Sequence, residues 1–162
     1  IDHRINGKNF IYGRYRVDDS VQNGAGQVTP PGVTSVVATK VQAATIVLNS
    51  VLTSKMANEL RVAYGRYDSN TNAADASSET IPSIEITDLG MSGFNAAASR
   101  TAFGLAVNLP QFRINNTYQI QDNLSYTTGN HNFKFGVDYR KMEVKSFFLP
   151  TTRGLLRYAT LQ

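Results

Sequence analysis

Apolar and polar residues alternate along most of this chain, most clearly from Asn115 to Leu149. Two runs there, Asn115–Thr128 and His131–Leu149, flank Gly129-Asn130. A Gly-Asn pair between alternating runs predicts a two-residue β-turn, because glycine reaches positive φ at no steric cost. The turn sets a register in which Tyr126 faces Phe133, Leu124 faces Phe135, Asp122 faces Val137 and Ile120 faces Tyr139. The other side then pairs Thr127 with Asn132, Ser125 with Lys134, Asn123 with Gly136, Gln121 with Asp138 and Gln119 with Arg140. One face is aromatic and aliphatic, the other polar. A slip of one residue would exchange them, so the register is well specified.

The second run continues through Lys141, Glu143 and Lys145 and is far longer than the usual strand of about 5–6 residues. Two arrangements suit such a hairpin. A membrane barrel turns the apolar face to lipid and the polar face to water. A soluble sandwich buries the aromatic face against a second sheet.

The same alternation predicts two more hairpins. Ile1–Ile5 and Phe10–Asp18 flank an Asn-Gly turn at Asn6–Asn9; the side taken by Tyr12 stays open. Lys40–Leu52 and Met56–Asn70 flank Thr53–Lys55. Leu52 then faces Met56, Ser50 faces Asn58, Leu48 faces Leu60, Ile46 faces Val62 and Ala44 faces Tyr64, with Asn49, Glu59, Arg61, Ala63 and Gly65 opposite. Between the hairpins, 19–39 and 71–113 are rich in Gly, Pro, Ser, Asn and Ala and read as long loops. A final strand begins within Gly154–Gln162.

Connection lengths thus alternate: short at 6–9, long at 19–39, short at 53–55, long at 71–113, short at 129–130. Outer-membrane barrels sort their connections this way, with short periplasmic turns and longer extracellular loops. A soluble sandwich has no reason to. The expected fold is therefore all-β, an antiparallel up-and-down meander forming part of a transmembrane outer-membrane barrel. About seven strands are predicted, whereas single-chain bacterial barrels have even numbers from about 8 upward. The chain also starts at Ile1 inside a strand-like pattern, so residues 1–162 read as one partial barrel domain.

Composition narrows the function classes. There is no cysteine, hence no disulfide or cysteine metal site, and a net charge of +4 without a long basic run argues against nucleic acid. No apolar stretch approaches the roughly 20 residues of a membrane helix, which leaves a barrel untouched.

Several motifs taken in order resemble a known family. They are Ile1-Asp2-His3-Arg4, Gly13-Arg14-Tyr15, Asn58-Glu59-Leu60-Arg61, Tyr118-Gln119-Ile120-Gln121-Asp122-Asn123-Leu124 and Gly129-Asn130-His131-Asn132-Phe133-Lys134-Phe135-Gly136. Together they look like the barrel region of Oar-like TonB-dependent receptors of Gram-negative bacteria. The resemblance spans nearly the whole chain outside the two long loops. It implies a barrel of roughly 22 strands with a plugged lumen, residing in the cell outer membrane. It also implies transport of a large substrate, with outer-membrane lipid, a plug domain and the TonB complex as partners. The plug, the TonB-contacting segment and the N-terminal domain of that family have no counterpart in these residues. Two other functions compete: a small outer-membrane barrel acting as an adhesin or structural protein, and a soluble carbohydrate-binding sandwich.

Candidate sites are few. The inward row Arg61, Lys134, Asp138 and Arg140 would line a substrate path or contact a plug, or merely wet a lumen wall. Phe94 and Phe103 are candidate extracellular-loop contacts. Gly90-Met91-Ser92-Gly93-Phe94 misses the nucleophile elbow at its last position, so no catalytic residue and no enzyme activity are expected. His3 and His131 lack a second ligand at metal spacing. Asp68, Asp75, Glu79, Glu85 and Asp88 lack the spacing of a calcium loop, so neither a metal nor a cofactor is expected. The sequons at Asn115 and Asn123 are what Asn-rich strands give by chance. Asp122 fits badly, as an acid on the apolar face.

Overall fold

The computed structural model describes residues 1–24, 34–91 and 105–161. The strands are β1 (Asp2–Arg4), β2 (Asn9–Asn23), β3 (Ser35–Thr53), β4 (Met56–Ala73), β5 (Ser83–Ile86), β6 (Gln111–Thr128), β7 (His131–Phe147) and β8 (Leu155–Tyr158). Six of them form an antiparallel meander in the order β1-β2-β3-β4-β6-β7, while β5 and β8 form a separate two-stranded sheet. Alternating β-branched and aromatic residues favour this pleated, two-faced arrangement.

The chain divides into two compact units: one of Ile1–Asp18, Lys40–Tyr67 and Asn115–Val144, the other of Asp19–Thr39, Asp68–Ile114 and Lys145–Gln162. The three short turns fall in the first unit. Asn6 Oδ1 accepts from the backbone N–H groups of Lys8 (2.8 Å) and Asn9 (2.9 Å), which closes the first turn. The β3–β4 turn is Ser54-Lys55, shorter than expected. Gly129 opens the last at φ 55°. Val51 N–H donates to Lys8 O and Thr127 N–H to Lys55 O, both at turns, so neighbouring turns lie beside one another.

The predicted registers hold. Phe133 stacks on Tyr126 at 6.5 Å between ring centroids, and Phe147 on Phe112 at 6.0 Å, so one spacing runs the length of β6 and β7. For β3 and β4, Ala74 N–H donates to Thr34 O and Thr39 meets Ser69, an extension of the pairing read from the turn. Tyr15 accepts from Gln42 Nε2 at 2.7 Å, which puts Tyr15 on the face of Gln42 and Ala44. By alternation Tyr12 lies on the opposite face, where it pairs with Asp2 of β1.

Boundaries and loops needed correction. β2 runs to Asn23, β3 starts at Ser35, β4 runs to Ala73, β6 starts at Gln111 and β7 ends at Phe147. The long loops are accordingly shorter than the composition implied. Residues 71–113 are also not structureless. The second unit holds a short 3-10 helix, Ala76–Thr80, whose cap Asp75 accepts from Ser77 N–H (3.0 Å) and Ser77 Oγ (2.8 Å). These bonds hold the Asp75 carboxyl below its ordinary pKa. Beyond it β5 pairs in parallel with β8, Ser83 opposite Leu155 and Ile86 opposite Tyr158. So β8 does not extend the meander, and six described strands stand in the main sheet rather than about seven.

Among the described residues of this second unit, Ile86, Met91, Leu105, Val107 and Leu109 are the buried apolar ones. Arg153 ties its loops together. Its guanidinium donates to the carbonyls of Leu109 (3.0 Å), Ser78 (3.2 Å), Ile81 (2.8 Å) and Ala106 (2.8 Å), and also to Leu105 O and Ser83 Oγ. Partial burial lowers its pKa, opposed by the Glu79 carboxylate.

Candidate functional site: the two faces of the sheet

The first unit has two faces of opposite character. On one, Ile46, Leu60, Val62, Ile120, Phe133, Phe135, Val137 and Tyr139 are all at least 36% exposed, with Phe135 at 60% and Tyr139 at 63%. Side chains left this exposed are not how a soluble sandwich treats its core.

A line of tyrosines crosses this apolar face. Register sets Tyr15 opposite Ala44, Ala44 opposite Tyr64 and Tyr64 opposite Tyr118, with Tyr139 diagonal to Tyr118 on β7. The Tyr64 and Tyr118 rings are 5.2 Å apart. On the long-loop side of that line the same face turns polar: Arg66 donates to Asn116 Oδ1 (3.4 Å), and Lys141 pairs with Glu143 (2.8 Å). Barrels carry such aromatic girdles where the apolar band meets the headgroups.

Asp122 does lie on this face, and its partner comes from the neighbouring strand. Asn58 Nδ2 donates to Asp122 Oδ1 at 2.8 Å and to Asn123 O at 3.2 Å. A neutral amide therefore satisfies the acid where an unpaired carboxylate would be costly.

The opposite face holds the charged pairs, together with Val41 and the fully buried Val47 of β3. Arg61 pairs with Glu59 at 3.2 Å, both about one-third exposed. Asp138 accepts from Gln119 Nε2 through both oxygens (2.9 Å each) and pairs with Arg140 at 3.4 Å. Lys134 is exposed nearer the turn. These four sequence-predicted residues share the face but do not converge: Arg61 has its own carboxylate, and only Asp138 and Arg140 touch. Near the turns this face forms an open hollow of about 650 Å³, whose lining includes Arg4, Lys8, Phe10, Asn49, Val51, Ala57, Glu59, Asn123 and Lys134. Sequence reading found Lys134 but missed the hollow, because its walls come from six strands.

The other candidates stay apart. Phe94, Phe103 and Ser92 lie outside the described residues. His131 leans on Phe133 at 6.2 Å. Asp75 caps a helix, Glu79 accepts from Ala73 N–H and Glu85 is held by Arg157 at 2.9 Å. Among the described residues no three such groups gather at metal-binding distance. The role of Arg153 had no signal in the sequence, since its partners are backbone carbonyls brought together only by folding.

The outer membrane beta barrel domain family matches this chain over residues 1–162. The chain belongs to that family. No curated protein and no solved structure matches it significantly. Membership places this barrel domain in the outer membrane, and the meander is part of its transmembrane β-barrel.

Proposed function

We propose that this barrel domain is part of an Oar-like TonB-dependent transporter that moves a large substrate across the outer membrane. The bare apolar face is its lipid side, and the face of Arg61, Lys134, Asp138 and Arg140 its lumen. Its role is transport rather than catalysis, and no cofactor takes part. The observation that carries this reading is strand length. β3, β4, β6 and β7 have 19, 18, 18 and 17 residues, whereas crossing a bilayer takes about 9–11. Staves this long, with an inner face that is mostly polar but on which β3 sets Val41 and the fully buried Val47, suit a wide barrel with an occupied interior better than a small one packed shut. Six described strands in the main sheet are also fewer than those of the smallest barrels, about 8, so on this reading further strands complete the wall. The ordered motifs of the Oar-like receptors give the specific assignment, and with it a plug domain and the TonB complex as partners.

Site-specific photo-crosslinking of the full-length protein in cells is the test. A crosslink to TonB that disappears when the periplasmic contact segment is deleted is expected. No crosslink from any periplasmic position would reduce the proposal to a passive or structural barrel.

A further inference from the structure

The hollow on the polar face has a definite composition. Its floor is one row across six strands, Arg4, Phe10, Asn49, Glu59, Asn123 and Gly136, placed side by side by the strand registers. The row nearer the turns adds Lys8 and Lys134. The one acid of the floor, Glu59, is engaged by Arg61 at 3.2 Å. What remains is a trough with two free amides on its floor, Asn49 and Asn123, set among Phe10, Val51 and Ala57, with cations at both ends: Arg4 and Lys8 on the β1–β2 side, Lys134 on the β7 side. Five strand spacings separate the ends, roughly 20–25 Å along the sheet at about 4.8 Å each.

Gly136 supplies a second observation. Glycine weakens a strand interior and often marks the close approach of a ligand or another backbone. A Cβ at this position would lie 2.6 Å from Asn123 Oδ1 and 3.3 Å from Asp122 O. The missing side chain therefore lets the Asn123 amide lie flat in the floor. Any larger residue would push it up into the trough.

We propose that this trough binds an extended acidic peptide segment. The segment lies across the strands, its backbone on the Asn49 and Asn123 amides and its carboxylates at the two cationic ends. A compact anion reaches only one end and gains only half of the charge pairing. An uncharged chain gains none. The site rests on the reading of this face as the lumen wall, and not on energised transport.

Full-length protein extracted from outer membranes into detergent micelles is titrated with fluorescently labelled hexaglutamate, with citrate, and with a Gly-Ser peptide of equal length. Saturable hexaglutamate binding is expected, at least tenfold tighter than either comparison ligand and weakened as salt rises from 50 to 500 mM. Lys134→Gln should weaken it about fivefold or more, and Gly136→Ala should weaken it by displacing Asn123. Lys55→Gln, which removes a turn cation outside the trough, should leave it unchanged. Lys134 is exposed on the polar face, so its variant keeps the fold, and unchanged heat-modifiable gel mobility verifies this. No saturable binding, equal binding of citrate or of the Gly-Ser peptide, or equal losses from Lys134→Gln and Lys55→Gln would overturn the proposal.

Discussion

Asn58 on β4 donates to the Asp122 carboxylate on β6 at 2.8 Å, on the otherwise apolar face of the sheet. The bond decides how an acid is accommodated there. Replacing Asn58 by leucine leaves a half-buried carboxylate without its donor, at a cost of about 1–3 kcal/mol. The double variant Asn58→Leu with Asp122→Leu removes both partners and should recover most of that loss. Urea unfolding from detergent micelles, followed by heat-modifiable gel mobility, measures both. Equal stability of the single variant and the parent would show that the pair is idle.

Sidedness makes a sharper prediction. Ile120 is 52% exposed on the apolar face, and Gln121 is next to it on the polar one. Ile120→Arg should cost about 2–4 kcal/mol near the bilayer midplane, whereas Gln121→Arg should cost less than about 1 kcal/mol. The same unfolding assay in lipid vesicles compares them. Similar costs would erase the distinction between the faces, and the reverse order would exchange them.

Much of this was written in the alternation. Tyr126 opposite Phe133 follows from turn position and a period of two and holds, and the β3–β4 spacing read the same way holds at Thr39 and Ser69. Ends of strands were less legible. Residues such as Asp19, Ser20 and Asn70–Asn72 are poor strand formers, yet pairing with neighbours draws them into β2 and β4. The β5–β8 pair was not legible at all. It joins residues about seventy positions apart, and neither segment alternates long enough to show a period. The polar residues of the sheet were individually visible, but the hollow near the turns depends on six strands in register.

Arg153 should be the pin of the second unit. Arg153→Met removes the donors to five backbone carbonyls and to Ser83 Oγ, and even Arg153→Lys cannot rebuild the planar fork. Limited proteolysis should then cut within residues 76–110 at least tenfold faster, while the β6–β7 hairpin stays protected. Unchanged cleavage would mean that the apolar cluster around Leu105 and Leu109 holds the unit without it.

Acid should loosen the same unit at one defined point. The Asp75 carboxyl has a lowered pKa because Ser77 donates to it, so it binds its proton more weakly folded than unfolded. Its contribution is complete above the ordinary carboxylate range and is lost as pH falls through the lowered value. The protection factor of the Ser77 amide, its exchange rate divided into the intrinsic rate at the same pH, should fall below about pH 4 and stay flat from pH 5 to 8. Asp75→Ala should show the low protection throughout, and a pH response of the protection factor surviving in that variant would assign it elsewhere.

The opposition of a lipid face and a lumen face is tested most directly by a cysteine scan, which this cysteine-free chain suits. Single cysteines at 118–124 and 133–139 are spin-labelled in outer-membrane vesicles, and their collision rates with oxygen and with a water-soluble nickel chelate are compared. Oxygen should dominate at Tyr118, Ile120, Leu124, Phe133, Phe135, Val137 and Tyr139, and the chelate at Gln119, Gln121, Asn123, Lys134 and Asp138, in strict alternation. Equal oxygen and chelate contact along both strands, or an alternation of opposite phase, would contradict the assignment of the two faces.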